Sequence, residues 1–303
     1  MSRRSRGGGP RRGNGRGRGD GHGRGDGPRR GDRRPPRANR PARAANNDRS
    51  LGGEQIEGRQ AVRELLIASR RRVREMVVND DSERNPVIGE ILELARSQRV
   101  AVRSVSRDEI DDLARSEAPQ GVIAFAEPLE ETLLDEVLAS ARDDDKLFIV
   151  AVDGVTDPGN LGAILRSCEG AGVDAVILPR HRAVHVTPSA AKAAAGAIEY
   201  LTMCVVPGLP TAIQQLRDNN VWVVGLDDAA DKPVFGLGDL AREHVCLVLG
   251  AEGPGLSRLV RERCDLLVSI PMRGALSSLN VSAAAALATY EVVRARQPGE
   301  PRS

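Results

Sequence analysis

The chain has 303 residues, with 44 basic and 42 acidic side chains, four Cys and a 2% aromatic content, long enough for one large domain or two ordinary ones with a full core. No stretch reaches the ~18 apolar residues of a membrane span. The basic start lacks the ~7-residue apolar core of a secretory signal and is too dense in Gly and Pro for a mitochondrial presequence helix, so a soluble cytoplasmic protein is expected.

Residues 1–50 hold 16 Arg, no Lys, 4 Asp, 12 Gly and 5 Pro. With so little apolar surface this segment cannot offset its ordering entropy, and it is predicted to be a disordered Arg/Gly-rich tail of net charge +12. The remaining residues carry 28 basic against 38 acidic side chains, so the near-neutral total conceals a basic tail on an acidic body. Arg-Gly repeats bind polyanions through mobile guanidinium groups, which makes RNA the expected partner; a solubilising extension is the other reading.

From there the apolar pattern predicts a helix over Glu57–Leu66, a strand over Val73–Val78, a helix over Pro86–Ser97 and strands over Val100–Val105 and Val122–Ala126. Together they make a small α/β domain over residues 51–127, large enough to fold alone. An acidic stretch follows in which Leu129, Leu133, Leu134, Val137 and Leu138 keep helical spacing, and it reads as a linker over 128–146 with a short amphipathic helix. In the region 147–298 strands and helices alternate. Strands are predicted over Leu147–Val152, Ala175–Leu178, Val221–Leu226, Val245–Leu249 and Leu266–Ile270. Helices are predicted over Leu161–Glu169, Ser189–Ile198, Thr211–Asn219, Leu256–Arg263 and Ala283–Arg296. Continuous apolar strands between helices imply an α/β fold with a parallel sheet covered on both faces.

Cys168, Cys204, Cys246 and Cys264 lie far apart, mostly in apolar or helical stretches, and are expected to be reduced thiols. His181 and His185 are four apart, but Pro179 and Pro188 bracket them and no third ligand is evident, so no metal is expected. Gly170-Ala-Gly172 mimics a dinucleotide fingerprint, yet it follows a helix and enters a strand, the reverse of the order that aims amides at a pyrophosphate.

Three polar segments stand at strand exits, the edge of an open α/β sheet where backbone groups and helix starts converge on ligands. The first, Asp153-Gly-Val-Thr-Asp157-Pro158-Gly159-Asn160 through Arg166, opens a helix with Leu161, Ile164, Leu165 and Cys168 on one face and Arg166 roughly opposite. Asn160 reads equally as a helix cap, and Arg166 as a solvated side chain. The second, Leu249-Gly250-Ala251-Glu252-Gly253-Pro254-Gly255, is either a loop whose bare backbone lets a ligand approach or a tight turn with an exposed Glu. The third runs from Ile270-Pro271-Met272-Arg273-Gly274 to Ser278-Leu279-Asn280-Val281-Ser282, where Ser278 and Asn280 serve a ligand or cap the alanine-rich helix that follows.

In this order and spacing the three segments resemble the motifs of the SpoU (TrmH) family of RNA ribose 2'-O-methyltransferases. Glu57-Gly58-Arg59-Gln60-Ala61-Val62 and Gln120-Gly121-Val122 are similar to the small L30e-like RNA substrate-binding domain of its RlmB branch, which methylates a guanosine of large-subunit (23S) rRNA. The resemblance covers about residues 54–296. It implies a SPOUT fold with a C-terminal trefoil knot within 147–298, S-adenosyl-L-methionine as methyl donor, rRNA as partner, and a homodimer that completes each active site. It assigns cofactor contacts to Gly250, Ile270 and Leu279, with Leu249, Ala251, Gly253 and Met272 beside them, and catalytic positions to Asn160, Arg166, Glu252, Ser278 and Asn280. On this reading Arg166 grips the target phosphate and orients the 2'-hydroxyl, Asn160 and Ser278 position the ribose, and Glu252 orders its loop through backbone amides. Arg70, Arg71, Arg72, Arg74 and Arg273 offer RNA a basic surface. The alternatives are a tRNA or other-site rRNA methyltransferase of the same family, and a non-catalytic RNA-binding ribosome-assembly factor.

Overall fold

The apolar runs build two sheets in a computed structural model that describes residues 51–80, 85–142, 144–180 and 185–297. The smaller sheet holds β1 (Gln55–Glu57), β2 (Val73–Asn79), β3 (Ala101–Val105) and β4 (Val122–Ala126) in the order β1-β4-β2-β3. Strand β4 is antiparallel to β1 and β2, and β2 is parallel to β3. Helices α1 (Arg59–Ala68) and α2 (Pro86–Ser97) bury Val62, Leu65, Leu66, Ile88 and Ile91 on one side. On the other, α3 (Arg107–Leu113) sets Ile110 against Val77, Val105 and Ile123.

Glu57, expected to start a helix, ends β1 instead, and Gly58 at φ 93° turns the chain into α1. The Glu57 carboxylate is fully buried and accepts the backbone N–H groups of Arg115 and Ser116 at 2.6 and 3.0 Å, just beyond the end of α3. A buried carboxylate with that many donors fixes a loop rather than a helix start.

The larger sheet is wholly parallel. It holds β5 (Phe148–Val152), β6 (Ala175–Pro179), β7 (Met203–Val206), β8 (Trp222–Leu226), β9 (Val245–Leu249) and β10 (Leu266–Val268), ordered β10-β8-β9-β5-β6-β7. As the continuous apolar strands predicted, both faces are covered. Helices α5 (Pro158–Gly170), α6 (Pro188–Ala193) and α9 (Val281–Arg296) pack on one face, and α4 (Leu134–Ala139), α7 (Leu209–Asp218) and α8 (Arg258–Arg263) on the other. The helix expected over Ser189–Ile198 stops at Ala193, because Ala195 and Gly196 take φ of 51° and 95°. A Cβ at position 196 would lie 2.3 Å from the Glu64 Cβ, so only glycine lets α1 approach this bend.

The smaller sheet and its helices are not an isolated unit. Their apolar residues and those of α5, α6 and the larger sheet form one continuous core. Gly53 N–H donates to Val186 O at 2.9 Å, Val186 N–H to Leu51 O at 3.0 Å, and the Lys192 ammonium to the carbonyls of Glu117 and Ala118. The supposed linker joins in as well, since Leu134, Val137 and Leu138 are buried. Arg71 corrects the expectation of an RNA-facing surface. Its guanidinium makes a bidentate pair with Glu199 at 2.6 and 2.9 Å and reaches the Gly53 and Glu127 carbonyls at 2.5 and 2.6 Å. Arg70 and Arg74 bond the carbonyls of Tyr200 and Ala126 while staying exposed, as is Arg72.

Candidate functional site

A cavity of about 310 Å³ opens where β8, β9 and β10 end and α9 begins. Leu249, Gly250, Ala251, Glu252 and Gly253 form one wall, Ile270 and Met272 a second, and Ser278, Leu279 and Asn280 a third. The β9 loop is shaped by its glycines. Ala251 and Gly255 exchange backbone hydrogen bonds at 3.0 and 2.9 Å, and Gly253 and Gly255 take φ of 80° and 67°. A Cβ on Gly250 would fall 2.3 Å from the Gly255 carbonyl carbon, which a real side chain never does. The loop's far end is anchored to the exit of β5, where the Asp153 carboxylate accepts the Ser257 N–H at 2.7 Å.

The mouth of this cavity is a polar network joining all three sequence segments. Asn280 caps α9: its Oδ1 accepts the Ser282 N–H at 2.8 Å and the Ser282 hydroxyl at 2.6 Å. That fixes the Asn280 amide outward, donating to a Glu252 oxygen at 2.7 Å and to Asn160 Oδ1 at 2.9 Å. Asn160 completes the triangle by donating from Nδ2 to Glu252 at 3.3 Å. It is free to do so because the cap of α5 is Asp157, whose Oδ1 accepts the Asn160 N–H at 2.7 Å. The helix begins at Pro158, earlier than expected, and Asn160 sits inside its first turn. Glu252 differs from expectation too, since its carboxylate accepts from the side-chain amides of Asn160 and Asn280 where backbone amides of its loop were expected. Ser278 lines the cavity and is exposed.

Arg166 does not join this group. It stands exposed farther along α5, beside a second cavity of about 270 Å³ bounded by Gln60, Glu64, Glu169 and Tyr200. The Glu64 carboxylate accepts the Tyr200 hydroxyl at 2.8 Å, and burial together with that bond pushes the phenol up to about 12, so it remains a donor. The chain thus gathers Asn160, Glu252, Ser278 and Asn280 with the expected cofactor residues and leaves Arg166 apart.

Sequence reasoning missed Leu226, Asp227, Asp228 and Ser269 on the same cavity. Two carboxylates directly after the apolar run of β8 obey the strand-exit rule applied to the other segments, so the signal was present. Asp227 is committed to structure, accepting the Ala229 N–H at 3.0 Å and pairing with Arg261 at 3.1 Å; Asp228 is exposed.

Burial pushes the Cys168 thiol up to about 12 and Cys204 up to about 11, which disfavours a thiolate at either. Among the described residues no group of three or more His, Cys, Asp or Glu is placed to hold a metal ion; His181 lies outside them. Among them, too, no helix is long and apolar enough to cross a membrane.

Comparison with known proteins covers both sheets of the chain. The SpoU rRNA Methylase family model matches residues 147–290, and a model described as RNA 2'-O ribose methyltransferase substrate binding matches residues 55–132. A protein of Staphylococcus saprophyticus described as a TrmH family tRNA/rRNA methyltransferase is 41% identical over 243 residues, 80% of this chain and 95% of the relative. A counterpart in Staphylococcus epidermidis is 38% identical over 253 residues, 82% and 98% of the two chains. Among solved structures, the SpoU methyltransferase AviRb from Streptomyces viridochromogenes in complex with AdoMet superposes with a TM-score of 0.66 at 26% identity, covering 80% of this chain and 90% of its own. A crystal structure of an RNA 2'-O ribose methyltransferase gives 0.65 at 27%, covering 80% and 88%.

Proposed function

Because the chain belongs to the SpoU rRNA methylase family, we propose that it transfers a methyl group from S-adenosyl-L-methionine to a ribose 2'-hydroxyl of RNA, and that the target is a guanosine of large-subunit rRNA. The observation that carries this reading is the cavity at the ends of β8, β9 and β10, with the Asn160–Glu252–Asn280 network at its mouth. Its volume falls in the range of small-molecule sites. The missing Cβ at Gly250 keeps one wall flat, and Leu249, Ile270 and Leu279 supply apolar contact beside the polar Ser269 and Asp228. These residues suit a ligand with an adenine ring and a polar amino-acid end. Gly250, Ile270 and Leu279 would hold it, with Leu249, Ala251, Gly253 and Met272 beside them.

When bound, this cofactor supplies an electrophilic methyl carbon on a sulfonium, so the protein has to orient the hydroxyl, help remove its proton and exclude water. Asn160 and Ser278 face the mouth and position the ribose. Glu252 holds the two Asn amides in place, so the network arrives preorganised. Arg166, always charged, is a poor base and acts by gripping phosphate and polarising the hydroxyl.

Arg166 lies outside its own chain's cavity, which supports a homodimer in which a second copy delivers it. Exposed Leu276, Leu287 and Tyr290, on α9 or just before it, supply apolar surface for such a contact. The parallel order β10-β8-β9-β5-β6-β7, with α9 starting at the cavity, suits the SPOUT trefoil knot. The small domain over 51–127 is assigned to RNA binding and the 1–50 tail to further phosphate contacts. A substrate-binding unit of its own favours rRNA over tRNA, and intact Arg166, Glu252 and Asn280 argue against a non-catalytic assembly factor.

The test is methyl transfer from radiolabelled S-adenosylmethionine to unmodified large-subunit rRNA and to bulk tRNA in parallel, followed by mapping of the modified ribose. Label at one rRNA guanosine is the expected result, and label in tRNA alone would overturn the substrate assignment. Arg166→Ala should bind cofactor normally while turnover falls by about 100-fold or more; near-normal turnover would remove Arg166 from the mechanism.

A further inference from the structure

The second cavity, on the seam between α1 and α5, holds two opposite charges that do not neutralise one another. Arg166 and Glu169 are three apart on α5, a spacing at which side chains readily meet, yet no ion pair joins them and each is exposed without a side-chain partner among the described residues. The neighbouring Glu64 is already engaged, taking Gln60 at 2.7 Å, Arg63 at 2.9 Å and the Tyr200 hydroxyl at 2.8 Å. Among the described residues that line this cavity, Glu169 is therefore a carboxylate with no hydrogen-bond partner, close enough to Tyr200 to act on its phenol, and Arg166 a cation with no ion pair. Beside them Tyr200 is 36% exposed, with the Arg70 guanidinium 6.0 Å from its ring centroid. Trp222, Phe235 and Tyr290 are exposed as well, but of these rings only that of Tyr200 borders this cavity.

A free cation, a free carboxylate and a ring platform around about 270 Å³ fit one ligand that carries an anion, a pair of hydrogen-bond donors and a flat face. Unstacked RNA bases are recognised in this way, on aromatic rings and along their Watson–Crick edges. Guanine alone among the four bases presents two adjacent N–H donors, N1–H and the N2 amino group, that match the two oxygens of a carboxylate. Adenine and cytosine place a ring acceptor beside their amino group, which a carboxylate repels. We propose that this cavity is a guanine-reading site for an RNA nucleotide, with Glu169 accepting from N1–H and N2–H, Tyr200 stacking on the base and Arg166 on the adjoining phosphate. The proposal deepens the methyl-transfer reading and rests on it.

The experiment uses the full chain and fluorescently labelled RNA pentamers UUGUU, UUIUU and UUAUU, with S-adenosylmethionine binding measured by calorimetry in parallel. Inosine keeps N1–H and lacks the N2 amino group. Wild type should bind the guanosine pentamer about tenfold more tightly than either other one, a factor typical of one bidentate contact. Glu169→Gln should bring the three within twofold, Tyr200→Ala should weaken all three, and Tyr200→Phe should keep the wild-type order. Equal binding of the three by wild type, retained preference in Glu169→Gln, or no pentamer binding by a chain that binds cofactor would each overturn the site and leave methyl transfer standing. A wild-type chain that fails to bind cofactor would overturn both.

Discussion

Replacing Arg71 by Met asks how firmly the smaller sheet is fixed to the larger one. The Arg71 and Glu199 side chains are only 6% and 1% exposed and meet in a bidentate pair at 2.6 and 2.9 Å. Two unit charges about 4 Å apart attract by about 4 kcal/mol at an effective dielectric constant near 20. Removing one partner of such a pair strands the other, and the expected loss is about 3–5 kcal/mol. The Gly53 carbonyl, also an Arg71 acceptor at 2.5 Å, loses its donor as well, whereas Met keeps most of the apolar stem packing. With a urea slope of about 3 kcal/mol/M for a protein of this size, the unfolding midpoint followed by circular dichroism should fall by at least about 1 M. The double variant Arg71→Met/Glu199→Leu leaves no buried charge and should recover at least half of that loss. A single variant within about 1 kcal/mol of wild type would mean that the seam is wet and the pair is worth no more than a surface contact.

Gly250→Ala would force a methyl group to within 2.3 Å of the Gly255 carbonyl carbon and 2.5 Å of the Leu256 nitrogen; S-adenosylmethionine affinity should fall by about 100-fold, about 2.7 kcal/mol, with the circular dichroism spectrum retained, and calorimetry showing normal affinity would refute the loop's role. Asp174 accepts the Phe148 N–H at 2.6 Å, but burial, its dominant influence, raises its carboxyl above the usual range. The folded state therefore holds this proton more tightly than the unfolded one, and stability drops as pH climbs from about 4 through the raised value. Asp174→Asn should gain on wild type across that window in urea melts, and a pH-independent difference would contradict the assignment. Deleting residues 1–50 should flatten the salt dependence of RNA binding by about 0.7 in log–log slope per lost phosphate contact, whereas an unchanged slope would show that the tail makes none.

What the sequence disclosed follows from which physics is local. The six parallel strands are legible where a run is long and apolar, as in Val245–Leu249, and the three polar segments are legible because glycines and amides cluster directly after such runs. Strand β7 was missed at four residues, although the Pro207-Gly208 after it is a boundary signal. Helix α3 buries only Ile110 and so has almost no apolar period, but Ser106, whose hydroxyl accepts the Glu109 N–H, opens a Ser-x-x-Glu start that a capping search would find. The fate of Arg71 was not local at all. Four arginines within Arg70–Arg74 look like a solvated patch until Glu199, 128 residues on, arrives beneath one of them. In the same way, Arg166 and Asn160 share one helix but not one cavity, and their separation depends on what packs over each end of α5.

The amide bonds linking Asn160, Glu252 and Asn280 tie together three stretches made at different times during synthesis. A growing chain that has reached β10 already contains every strand of both sheets, yet its pocket has no rim until Asn280 and the turns of α9 that it caps are in place. The residues of the smaller sheet are made more than 150 positions before Asn280, but their core closes only once α5 and α6 pack against it. The rim of the cavity is thus the last part of the described fold to be put in place, after every strand that carries it.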